Sequence, residues 1–161
     1  MSLKNDLQKW LISIINDPFV KILVKNSNFT KTQLETFLID ILAEKMTERK
    51  ILYEEKAKLR LLKKGVTRGA FNRTLKQARK NVIEAIYTII LLGYLGVLES
   101  PSLEPYLELA NKLEAYKETY RNIWKKNELK NEYVRVLNLL QKEIENGLKQ
   151  LSEPKNMTKK S

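Results

Sequence analysis

Apolar side chains return every three or four residues through most of this chain, the spacing of one buried face on an α-helix. Leu3, Leu7, Trp10, Leu11, Ile14 and Ile15 predict a helix over residues 2–16. Asp17-Pro18 then supplies an N-cap and a first-turn proline for a short second helix, Phe19 to Lys25, and Asn26-Ser27-Asn28 reads as a turn. Thr30 and Gln33 have capping-box spacing, with Phe29 and Leu34 placed as a hydrophobic staple, so a third helix is expected to start at Lys31. No Gly or Pro interrupts the chain from Phe19 to Lys64. Residues 31–64 therefore fit one long helix, or two with a break near Thr47-Glu48-Arg49. Gly65 is expected to end that stretch as a left-handed cap, with Thr67 capping the next helix.

From Arg68 the stripe Phe71, Leu75, Ala78, Val82, Ala85 and Ile89 holds for five turns. After Ile83 the pattern is apolar on nearly every side. This predicts a helix whose first half lies on the surface and whose second half runs through the core, ending at Gly93 or Gly96. Glu99-Ser100-Pro101-Ser102 is a connector. Beyond it, Tyr106, Leu109, Leu113, Tyr116, Tyr120 and Ile123 alternate steps of three and four, as a coiled-coil seam does. A second seam, Leu129, Tyr133, Val136, Leu140 and Ile144, follows a phase slip near Lys125-Lys126-Asn127. The expected fold class is all-α: a multi-helix bundle with a C-terminal coiled-coil-like helical hairpin. Its organisation is a helical core domain over 1–100, the hairpin over 103–151, and a polar, disordered tail over 152–161. Tyr106, Leu109, Leu113, Tyr116, Tyr120, Leu140 and Ile144 are the expected oligomerisation residues, serving a homodimer or another protein partner.

Composition narrows the chemistry. The 161 residues contain no Cys, which excludes disulfides, iron–sulfur clusters and thiolate zinc sites, and no His, the usual general base and commonest metal ligand. No phosphate-binding glycine loop, metalloprotease motif or nucleophile elbow is present. The sequence therefore predicts no catalytic residue, no metal and no cofactor: this is not expected to be an enzyme. The first residues lack the layout of a signal peptide, so an intracellular, cytoplasmic protein is expected. Ala85 to Leu98 is too short a run to span a bilayer, and no membrane association is expected.

Charge changes the picture most. Thirty Lys and Arg against nineteen Asp and Glu give a formal net charge of +11. Ten cations lie between Lys56 and Lys80 without one acid among them: Lys56, Lys58, Arg60, Lys63, Lys64, Arg68, Arg73, Lys76, Arg79 and Lys80. Solvated faces normally mix signs, and charge this concentrated repels itself unless a polyanion shares the site. On a helix through 50–64, Lys56, Arg60, Lys63 and Lys64 share one face, while Ile51, Leu52, Leu59 and Leu62 should pack inward. After a three-residue turn, Asn72, Arg73, Lys76 and Lys80 lie opposite the Phe71 stripe. Lys56, Arg60, Lys63, Lys64, Thr67, Arg68, Asn72, Arg73, Lys76, Arg79 and Lys80 are the candidate nucleic-acid-binding residues. Duplex DNA is the favoured partner, because an exposed basic helix fits its major groove. Asp40, Glu44 and Glu48, with Lys45 and Arg49 beside them, read as a salt-bridged surface face, and Glu84 as the ion-pair partner of Lys80.

Gly65-Val66-Thr67-Arg68-Gly69-Ala70-Phe71-Asn72-Arg73 resembles the turn and recognition-helix start of helix-turn-helix repressors, especially TetR-type regulators. The resemblance covers about residues 65–76. It implies a DNA-reading role for Thr67, Arg68, Asn72 and Arg73, with Phe71 inserted into the domain core. The expected function is a dimeric DNA-binding protein, a transcription regulator or chromatin-associated factor. The alternative is a non-catalytic helical subunit of a larger nucleoprotein complex that grips single strands, RNA or a protein.

Overall fold

The computed structural model describes residues 3–97, 104, 107–115, 131, 135, 138–139 and 141–146. The protein is all-α, with no strand among the described residues. The principal helices are α1 (Leu3–Asn16), α2 (Pro18–Lys25), α3 (Lys31–Thr47), α4 (Tyr53–Lys58) and α5 (Arg68–Tyr94). The chain divides into two compact units, Met1–Ile86 and Tyr87–Ser161.

Local chemistry sets the helix starts. An Asp17 carboxylate oxygen accepts from the N–H groups of Phe19 (2.8 Å) and Val20 (3.3 Å), capping α2 behind its N-terminal Pro18. At α3 the box closes in both directions. Thr30 Oγ1 accepts from the Gln33 N–H at 3.1 Å, and Gln33 Oε1 accepts from the Thr30 N–H at 2.9 Å. The Phe29 ring lies 5.7 Å from that of Phe37, pinning the entry to this helix.

Residues 31–64 are two helices, not one. Thr47 Oγ1 donates to the Ala43 carbonyl at 2.7 Å, and Glu48 enters the left-handed region at φ 54, which stops α3. The expected continuation to Lys64 is also absent: α4 closes at Lys58, and residues 59–67 form an irregular connection in place of a three-residue turn. The predicted single face for Lys56, Arg60, Lys63 and Lys64 therefore does not exist. Ile51 and Leu59 are buried as expected, but Leu52 and Leu62 are exposed.

The core of the first unit joins Leu7 and Leu11 of α1, Ile39 and Ala43 of α3, Ile51, Ala57 and Leu59 around α4, and Phe71 and Leu75 of α5. Phe71 is fully buried, and Ala78 extends the same stripe. The expected roles of the two ends of α5 are reversed. Its first half closes this core, while Ile83 and Ile86 are exposed. In the second unit Tyr87, Ile90, Leu91 and Tyr94 are exposed as well. An all-round apolar helix needs cover, but its pattern does not specify that the same chain supplies it. Gly96, at φ +70, ends α5, with the Val97 N–H bonded to the Leu92 carbonyl and the Gly96 N–H to that of Gly93.

Leu109 and Leu113 are half-buried on a helical stretch over 107–115, and Ile144 is half-buried on one over 141–146. The other expected oligomerisation residues, Tyr106, Tyr116, Tyr120 and Leu140, lie outside the described residues, as do the turn of the hairpin and the tail. Among the described residues no helix is long and apolar enough to cross a membrane.

Candidate nucleic-acid interface

The connection before α5 takes its shape from one glycine and two distant side chains. Gly65 has φ +66, and a Cβ there would sit 2.9 Å from both the Ala57 carbonyl oxygen and Lys58 Cα, so the backbones meet where only Gly fits. The Val66 N–H donates to the Ala57 carbonyl at 3.1 Å and the Gly65 N–H to that of Leu62 at 2.9 Å. Gln8 Nε2 donates to the carbonyls of Leu59 (3.3 Å) and Arg60 (3.1 Å), and a Glu35 carboxylate oxygen accepts from the Leu61 N–H at 2.6 Å. These bonds satisfy backbone groups that no helix ladder serves. Thr67 Oγ1 accepts from the Ala70 N–H at 3.2 Å and so caps α5 as expected.

Half of the ten cations are paired internally. Arg60 is buried: Nε and Nη2 grip the two Glu35 carboxylate oxygens at 2.7 and 3.2 Å, and Nη1 donates to Thr36 Oγ1 at 3.1 Å. Lys56 is buried as well, its Nζ 2.8 Å from Asp40 Oδ1 and 2.8 Å from Glu44 Oε1. Both expected binding residues are structural, because carboxylates on α3 turn them inward. Burial pulls the Lys56 ammonium toward its neutral form, yet the hydrogen bonds it donates to Asp40 and Glu44, with their charges, outweigh it and leave its pKa above the ordinary value. The Glu44 carboxyl is held below its ordinary value by the Lys56 hydrogen bond and charge. Arg79 is exposed but tied to Asp40 Oδ2 at 2.6 Å. Partial burial acts against its charge, and Asp40 and Tyr53 overcome that, so its pKa is raised too. Lys58–Glu54 (3.7 Å, on α4) and Lys80–Glu84 (3.4 Å, on α5) are exposed i, i+4 pairs.

The face expected over Asp40, Glu44 and Glu48 is salt-bridged, but by different partners: Lys56 and Arg79 hold Asp40, and Arg49 pairs with Glu55 at 3.3 Å. Among the described residues no group of three or more acidic side chains is arranged to hold a metal ion.

Lys63, Lys64, Arg68, Arg73 and Lys76 are exposed and make no ion pair among the described residues. Arg73, Lys76 and Lys80 stand at i, i+3 and i+7, opposite the buried Phe71, Leu75 and Ala78. Asn72, expected to read bases, is half-buried, and its buried Oδ1 has no hydrogen-bond partner. Beside it an open groove of about 760 Å³ runs along α5, walled by Tyr53, Asn72, Arg73, Lys76, Arg79 and Ile83.

No protein-family model, curated protein or solved structure matches this chain. Its function is therefore argued from the chemistry of its own surface. Sequence reasoning missed Gln8, Glu35 and Tyr53. A signal for one of them was present: Glu35 shares the i, i+4, i+8 stripe with the buried Ile39 and Ala43, and an acid on a core stripe calls for a buried cation.

Proposed function

We propose that the protein binds nucleic acid, with duplex DNA as its first partner, through the start of α5 and the connection before it. One observation carries the reading. After internal pairing has accounted for the other cations, Lys63, Lys64, Arg68, Arg73 and Lys76 remain exposed and unpaired within fourteen residues that contain no acid. A solvated face of that length mixes signs, and one that does not is matched to phosphates. The outward row Arg73–Lys76–Lys80 would enter the major groove in the manner of a recognition helix, with Lys63, Lys64 and Arg68 on the backbone. A dimer formed through residues 103–151 would present two such faces, as a transcription regulator or chromatin-associated factor does.

The test is a fluorescence-anisotropy titration of random duplex DNA at several salt concentrations. Three phosphate contacts, from Lys63, Lys64 and Arg68, predict a log–log slope of about −2.7, and Lys63→Ala with Lys64→Ala should flatten it by about 2. A salt-independent affinity, or a slope unchanged in the double variant, overturns the reading.

A second reading is favoured by the exposed Ile83 and Ile86: a helical subunit of a nucleoprotein complex, with these residues against another protein. RNA and single-stranded DNA outcompeting duplex, together with a monomer by light scattering, would select it.

A further inference from the structure

The groove beside α5 holds more than a phosphate backbone needs. Its volume, about 760 Å³, falls within the range of roughly 300–1,000 Å³ typical of small-molecule sites. Two of its walls are the unpaired cations Arg73 and Lys76. Its lining also includes an apolar and an aromatic side chain, Ile83, which is exposed, and the Tyr53 ring, beside the polar Asn72, Gln77, Arg79 and Lys80. Tyr53 is a fixed surface. Its ring rests 6.4 Å from that of Phe71 in the core, Lys56 Nζ lies 5.2 Å from its centroid, and Arg79, itself held by Asp40, lines the same groove. Asn72 adds an amide without a partner for its oxygen.

Phosphates alone would use Arg73 and Lys76 and leave Tyr53 and Ile83 idle. A ligand that joins a phosphate to a flat aromatic ring uses all of them. We infer that the groove receives one unstacked nucleotide, its phosphate on Arg73 and Lys76 and its base against Tyr53. The inference rests on the nucleic-acid reading above and extends it, because a paired base inside a duplex cannot reach Tyr53 whereas an unpaired one can. The same chemistry has two sources, a nucleotide within a strand and a free mononucleotide.

The experiment compares a short thymidylate homopolymer, a fully paired duplex of equal length and free dTMP, on the full chain. Tyr53→Leu should weaken homopolymer binding about tenfold, the scale of one base–aromatic stack, and leave duplex affinity unchanged. Tyr53→Phe, which keeps the ring, should retain homopolymer binding. On the unsubstituted chain, amide resonances of Tyr53, Asn72 and Ile83 should shift on adding homopolymer, which keeps the test valid should Tyr53→Leu unfold. Shifts with dTMP at the same residues would support the site and name the free nucleotide as a source. Shifts with homopolymer alone would support it and name the strand. Shifts confined to residues 63–68, or no loss in Tyr53→Leu while Lys63→Ala with Lys64→Ala weakens both nucleic acids, would overturn the groove and leave the basic face standing.

Discussion

Arg60 is a cation held inside the fold rather than left on its surface. Its guanidinium makes three hydrogen bonds, two to Glu35 and one to Thr36, with the Arg60 and Glu35 side chains 6% and 8% exposed. Arg60→Met preserves most of the buried volume but strands the Glu35 carboxylate, whose remaining donor is the Leu61 N–H. Removing one partner of a buried pair costs about 3–5 kcal/mol. For a unit the size of Met1–Ile86, each kcal/mol moves the melting midpoint by about 4–8 °C, so a fall of at least about 12 °C is expected by calorimetry. Glu35→Leu with Arg60→Met should recover most of it, because replacing both partners removes the stranded charge. Duplex affinity measured well below the lowered midpoint should change little. An unaltered midpoint with weakened DNA binding would refute the reasoning and restore Arg60 to the binding face.

Two further outcomes follow from the same geometry. Gly65→Ala forces a Cβ against two backbone atoms at positive φ and should cost more than about 1 kcal/mol in urea denaturation, whereas Gly69→Ala, with open space around its Cβ, should be neutral or slightly stabilising; equal effects would contradict the close approach at Ala57. Glu44 sits below its ordinary 4.5, so its contribution is complete above that value and is lost as pH falls through the lowered one. Lys56 sits above its ordinary 10.5, so its contribution is complete below that value and is lost as pH rises through the raised one. The stability difference between the parent chain and Lys56→Met should therefore be flat across neutral pH and shrink at both extremes; a difference that grows toward acid would exclude the pairing.

What the sequence disclosed was local. The Asp17 cap, the Thr30–Gln33 box, the Thr67 cap and the Phe71–Leu75–Ala78 stripe each depend on residues within a turn or two, and each is in place. The misassigned cations depend on distance along the chain. Lys56 reaches a carboxylate sixteen residues away and Arg60 one twenty-five away. Counting charges gives their number and sign but not the side of the backbone on which each emerges. The expected helix to Lys64 failed similarly. Gly65 closes onto Ala57, and Gln8 and Glu35 take up backbone groups at 59–61, so the fold satisfies the connection without helix. The outward cations from Lys63 to Lys76 were legible because nothing in the described fold competes for them.

The Gln8, Glu35 and Asp40 anchors mean that the cationic stretch is not a portable module. A synthetic peptide spanning 56–80 would keep every positive charge and lose the carboxylates that tuck Lys56 and Arg60 out of sight and steady Arg79. It would present ten undirected cations where the intact protein presents a smaller, ordered set. Grafting the stretch onto another scaffold would transfer indiscriminate attraction to anions, while any selectivity would stay behind in α1 and α3.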